Sequence, residues 1–225
     1  GIRDWSVTGV QTCALPICGL LTTSAWSVYA TTPSVVDLAH YGASVSSAGD
    51  VNGDGYADVV VGGPAFDLGT GLEGVAFLYV GSSTGLISST AWTVGSGQAS
   101  AGLGNSVSTA GDVNGDGYSD IVVGASNYSN GQSQEGQAFL YRGSADILAT
   151  NAGWNGESNQ ASANYGESLG DAGDVNGDGY ADVVVGSYNY SNGQTNEGQA
   201  YLYLGSASGL VTTTAWTSES NQASA

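Results

Sequence analysis

The sequence has no lysine and no methionine, a single histidine (His40) and two arginines (Arg3 and Arg142), against 20 acidic residues and a formal net charge of −18. A surface of that sign repels a phosphate backbone, which excludes nucleic acid as an expected partner. A histidine that occurs once in a repetitive chain supports no recurring Ser/His/Asp arrangement, so His40 is read as a spacer and no catalytic residue is assigned. No apolar run reaches the roughly 20 residues that span a bilayer, so direct membrane insertion is not expected. Helical periodicity is absent throughout. Without methionine the sequence lacks the usual initiator, and it is expected to be a fragment or a processed segment.

What is abundant is glycine (37 residues), with many Ser, Thr, Asn and Gln. That composition alone would fit a disordered linker, but regular apolar runs and a 41% apolar content indicate a folded chain. The two cysteines, Cys13 and Cys18, lie in a segment, 1–18, that departs from the pattern of the rest and resembles translated adapter sequence. It is expected to be non-native. The cysteine spacing would suit a local disulfide or a metal, but carries little weight there.

One stretch organises everything else: Asp50-Val-Asn52-Gly-Asp54-Gly55-Tyr56-Ala-Asp58, which recurs at 112–120 and 174–182. Oxygen-bearing side chains stand at positions 1, 3, 5 and 9 (Asp50, Asn52, Asp54, Asp58; Asp112, Asn114, Asp116, Asp120; Asp174, Asn176, Asp178, Asp182). Position 7 offers the backbone carbonyl of Tyr56, Tyr118 or Tyr180. Such oxygens converge only if the chain curls tightly, and Gly55, Gly117 and Gly179 permit that. Three carboxylates per loop repel one another unless a cation joins them, and all-oxygen ligation in an irregular cage favours Ca2+, in about three sites. Plain Asp/Gly turns are the alternative, though a turn needs only one or two of these residues. An EF-hand is excluded because position 12 is Val61, Val123 or Val185 rather than Glu.

The loops recur at 62 residues (112 minus 50, 174 minus 112), and Trp92, Trp154 and Trp216 keep the same step. Such a period marks an array of one supersecondary unit. Each unit holds four strands. The first lies near 42–47, 104–109 and 166–170, and the second begins at Asp58, Asp120 and Asp182 with a β-branched run suited to burial on both faces. The third covers 75–80, 137–141 and 199–203, and the fourth surrounds the tryptophan. This predicts an all-β chain of β-propeller blades, each a four-stranded antiparallel sheet: a partial propeller of about three blades plus one strand.

Each unit resembles the FG-GAP repeat of integrin α-subunit propellers and bacterial surface proteins. Tyr41-Gly42, Leu103-Gly104 and Tyr165-Gly166 match the FG element, and Gly62-Gly63-Pro64, Gly124-Ala125-Ser126 and Gly186-Ser187-Tyr188 match the GAP element, with the DxNxDGxxD loop between them. Leu103 departs from the aromatic, and the Ala-Pro is loosely kept. The resemblance covers about 19–225 and divides it into the last strand of a preceding blade with a linker (19–38) and repeats 39–100, 101–162 and 163–225. It implies that further blades of the same parent chain complete the ring; the calcium is expected to be structural, pinning the turn between strands one and two, and the lysine-free composition rich in Ser, Thr and Asn suits an extracellular or cell-surface protein of bacterial type.

The function expected is adhesion or protein recognition by a calcium-binding, non-enzymatic propeller. Two alternatives stand beside it: a lectin-like module that binds glycans, and a non-catalytic part of a larger secreted enzyme. The partner is thus an extracellular protein or glycan. The turns Asn127-Tyr-Ser-Asn130 and Asn189-Tyr-Ser-Asn192 are candidate recognition surface, with Asn-Gly turn formation an equal explanation. Glu73, Glu135 and Glu197 recur before a glycine and are expected as solvated turn residues, with a rim binding surface as the alternative.

Overall fold

The computed structural model describes residues 26–27 and 40–222. The segment 1–18 with its cysteines, and 19–38 apart from Trp26 and Ser27, lie outside the described residues.

Every regular element described is a strand. The first sheet comprises β1 (Ser44–Gly49), β2 (Asp58–Gly63), β3 (Val75–Tyr79) and β4 (Trp92–Gly95). The second comprises β5 (Leu103–Gly111), β6 (Asp120–Ala125) and β7 (Gln137–Tyr141), then a short hairpin of β8 (Gly143–Ser144) and β9 (Ile147–Leu148), and β10 (Trp154–Glu157). The third comprises β11 (Tyr165–Gly173), β12 (Asp182–Ser187), β13 (Gln199–Tyr203) and β14 (Trp216–Glu219). Within each four-stranded sheet the strands pair antiparallel in chain order, giving three blades of an unclosed propeller. The inner strands β5 and β11 run a few residues longer than the sequence pattern indicated, and each carries two register shifts.

β5 packs against β1 and β11 against β5, so the first strands of successive sheets lie side by side. Their approach is close because glycine backbone meets glycine backbone. A Cβ on Gly62 would fall 2.0 Å from the Gly104 carbonyl, and one on Gly124 would fall 2.0 Å from that of Gly166. The FG and GAP glycines are therefore the two halves of one contact between neighbouring blades. Parallel bridges from Gly74 to Leu103 and from Gly136 to Tyr165 extend it.

The cores lie between sheets. Val60, Leu78, Trp92, Leu103, Ile121 and Tyr141 are among those that fill the space between the first two blades, and Val122, Leu140, Trp154, Tyr165, Val183 and Tyr203 the space between the second and third. Trp92 and Trp154 each lean on the following blade. Trp154 packs edge-on against Tyr203 and donates its Nε1–H to the Val211 carbonyl at 3.2 Å. Trp26 likewise packs edge-on against Tyr79.

Candidate metal centre

The Asp-rich loops join β1 to β2, β5 to β6 and β11 to β12, all at one end of their blades. Each loop folds around its first aspartate. Asp50 Oδ1 accepts from the Gly53 and Asp54 amides (2.7 and 3.1 Å) and Oδ2 from the Gly55 amide (2.8 Å). Asn52 Nδ2 donates to Asp54 Oδ2 (2.9 Å), and Asp54 Oδ1 accepts from the Tyr56 amide (2.9 Å). Gly55, Gly117 and Gly179 have φ of 88°, 92° and 93°, the left-handed conformation that the curl requires.

The same bonds recur around Asp112, Asn114 and Asp116, and around Asp174, Asn176 and Asp178. The aspartates and asparagines at positions 1, 3 and 5 are thus brought together three times. Tyr56, Tyr118 and Tyr180 close the curl, and the Tyr118 ring covers Gly53 of the preceding loop as Tyr180 covers Gly115.

The ninth residue behaves differently. Asp58, Asp120 and Asp182 are fully buried. Asp58 Oδ2 accepts from the Val51 amide (2.9 Å) and Oδ1 from the Gly81 amide (2.8 Å), which ties the loop to the end of β3. Asp120 holds Val113 and Gly143, and Asp182 holds Val175 and Gly205. This second task was missed in the sequence, although each Asp–Gly pair keeps a separation of 23 residues.

Burial pushes the Asp58 carboxyl up from its ordinary range, with Asp54 and Asp50 adding to the effect and the two amide bonds opposing it. Burial likewise pushes Asp120 up to about 6. Asp174, the exposed first residue of the third loop, is lowered, chiefly by the Gly179 amide. Arg142 is the single Lys or Arg among the described residues, and it lies beside Gly153. Among the described residues the loops therefore hold three carboxylates each with no basic side chain to offset them.

The donor set is all oxygen and anionic, which fits a hard cation. Among the described residues no three His, Cys, Asp or Glu side chains are drawn onto a single point. Asp50 and Asp54 are turned partly to the amides of their own loop, and the fit rests on chemistry and charge.

One expectation is corrected. Glu73, Glu135 and Glu197 are not solvated: they are 3%, 0% and 6% exposed, and they accept backbone amides of their own turns. The tyrosines of the two Asn-Tyr-Ser-Asn turns are half-buried, Tyr128 packing edge-on against Phe139 and Tyr190 against Tyr201. Each ring thus packs on the third strand of its own blade and keeps part of its surface open. His40 is exposed, with a φ of 47°.

The FG-GAP repeat is matched at residues 41–79, 103–141 and 168–203. Among curated proteins the chain is 28% identical to integrin alpha-4 of Xenopus laevis over 153 residues, 66% of this chain and 14% of that one. It is 31% identical to integrin alpha-5 of the same species over 159 residues, covering 66% of this chain and 15% of the relative. Mouse integrin alpha-IIb (Mus musculus) is 31% identical over 159 residues, 68% of this chain and 15% of its own length. The matched region is thus a small part of each relative. Three matches in register with three sheets, whose GAP glycines Gly62 and Gly124 meet the FG glycines of the next repeat, place the chain in the FG-GAP repeat family, with integrin alpha subunits among its relatives.

Proposed function

We propose that this chain is a calcium-stabilised recognition module of an extracellular or cell-surface protein, serving adhesion and not catalysis. Each of the three Asp-rich loops would hold one Ca2+. The observation that carries the reading is the ninth residue of each loop: Asp58, Asp120 and Asp182 are fully buried, Asp58 and Asp120 within electrostatic reach of two other carboxylates, and no basic side chain among the described residues pairs with them. A buried charge of that kind is costly unless something positive offsets it.

Asp50, Asn52, Asp54 and Asp58 would supply side-chain oxygens and Tyr56 its carbonyl; the residues 62 and 124 positions later would do the same in the other loops. The ion would supply charge neutralisation and a fixed loop. The protein's part is to hold the donors on a rigid frame, because the ninth residue is anchored both to its own loop and to the end of the third strand. With the rim of each blade so fixed, the adjoining loops can present a constant surface to a protein partner. The integrin alpha relatives support the adhesion reading.

Calorimetric titration of the metal-stripped protein with calcium tests it. The Asp-rich loops are expected to bind about three ions, and Asp54→Ala, Asp116→Ala and Asp178→Ala are each expected to remove one. Loss of no ion from any of the three variants would mean that the loops are turns only.

A further inference from the structure

The buried glutamates lie at the opposite end of the strands from the Asp-rich loops. In the second blade Glu135 is fully buried. Its Oε1 accepts from the Asn130 amide at 2.5 Å and the Gln132 amide at 3.3 Å. Its Oε2 is buried with no partner, and so is Oε1 of Gln132. A second carboxylate stands close by. Asn130 Nδ2 donates to Glu157 Oε2 at 2.7 Å, and Gln137 Nε2 reaches the same oxygen at 3.3 Å.

The third blade repeats the arrangement. Glu197 Oε1 accepts from the Asn192 amide, while its Oε2 is buried and unpartnered. Asn192 Nδ2 donates to Glu219 Oε2 at 2.9 Å, and Glu197 and Glu219 line one cleft.

The first blade supplies an internal comparison. Leu68, Thr70 and Gly95 stand where the second has Asn130, Gln132 and Glu157. There the carboxylate is satisfied by the protein itself, Glu73 Oε1 accepting from the Leu68 amide (3.2 Å) and Oε2 from the Gly97 amide (2.8 Å). A Cβ on Gly95 would lie 2.8 Å from Glu73 Oε2 and 3.1 Å from the Leu68 side chain. The position held by glutamate in the next two blades therefore adjoins the buried carboxylate directly. Where the second glutamate is present, the buried oxygen has lost its protein donor; where glycine replaces it, the oxygen has one.

A buried acceptor without a donor is costly, and a second carboxylate beside it raises that cost. Two carboxylates, joined in the second blade by the unpartnered Gln132 amide oxygen, form a hard, anionic donor set. We infer that Glu135 with Glu157, and Glu197 with Glu219, form a second class of divalent-cation site that takes a hard ion such as calcium, on the rim opposite the Asp-rich loops. The first blade has no such site. The inference does not depend on the Asp-rich loops binding metal.

The test is equilibrium dialysis of the metal-stripped full chain against calcium, in the wild type, a Glu157→Gln/Glu219→Gln variant and an Asp54→Asn/Asp116→Asn/Asp178→Asn variant. Glu157 and Glu219 are half-buried at strand ends and the three aspartates are exposed, so neither variant removes a core group; far-UV circular dichroism checks folding. The glutamate variant is expected to bind two fewer ions than the wild type, and the aspartate variant is expected to retain two. If the Asp-rich loops bind nothing, the wild type binds two and the glutamate variant none, which defeats the proposed function and leaves this inference standing. Equal binding by wild type and glutamate variant overturns it.

Discussion

Trp92 of the first blade packs edge-on against Tyr141 of the second, ring centroids 4.9 Å apart, and its Nε1–H reaches the Ala149 carbonyl at 3.2 Å. Trp154 repeats the contact one blade later, whereas Trp216, on the third sheet, is 52% exposed. The same residue in the same repeat position thus has two environments, set by whether a following blade covers it.

Trp154→Ala should cost about 3–5 kcal/mol, as for a buried aromatic that leaves a cavity, while Trp216→Ala should stay within roughly 0.5 kcal/mol, as for an exposed site. Urea denaturation of the two variants checks the difference. Equal costs would show that the tryptophan acts within its own sheet and not between sheets.

The glycine contact makes a parallel prediction. Gly62→Ala and Gly124→Ala each force a methyl onto a neighbouring carbonyl, and both should destabilise by at least about 1–3 kcal/mol. Gly186→Ala should be milder, because its nearest neighbour is the Ser168 Cβ at 3.3 Å. Thermal melting of the three variants side by side reads this out.

Asp116 and Asp120 belong to one loop but should respond differently to a chelator. Asp116→Asn should lower the melting temperature in calcium and change little once the metal is removed. Binding at 100 times the dissociation constant contributes roughly 2.7 kcal/mol per site. Asp120→Asn should destabilise in either condition, because its carboxylate also satisfies the buried amides of Val113 and Gly143, and each bond so lost costs about 1–3 kcal/mol. Melting curves with and without chelator separate the metal task from the structural one.

Tyr165 donates its phenol hydrogen to Tyr203 at 2.8 Å in a fully buried setting, and Tyr41 does the same to Tyr79 at 2.7 Å. Tyr165→Phe should therefore cost about 0.5–1.5 kcal/mol in chemical denaturation. The second blade shows that the fold survives without this bond, since Leu103 stands in the equivalent place.

The all-β class, the four strands per unit, the 62-residue period and the position of each Asp-rich loop were legible in the sequence. They depend on local chemistry: alternation of apolar residues, glycine where φ must be positive, aspartate and asparagine that bond to their own backbone. The FG and GAP glycines were legible as a motif, but their partnership was not. Gly62 and Gly104 lie in different repeats, and only the packing of sheet on sheet brings the one against the carbonyl of the other.

The burial of Glu73, Glu135 and Glu197 was hidden for the same reason. A glutamate before a glycine reads as a turn residue, and nothing local says that the turn folds back over its own carboxylate. Asp58 was assigned to the loop alone, because its bond to Gly81 crosses two strands. The sequence by itself determined the repeat, the strands and the donor types in each loop, since these follow from neighbouring residues. Tertiary structure alone decided which carboxylates are buried, which are left without a donor and which tryptophans are covered, because desolvation is set by the neighbouring strands and blades and not by the adjacent residues.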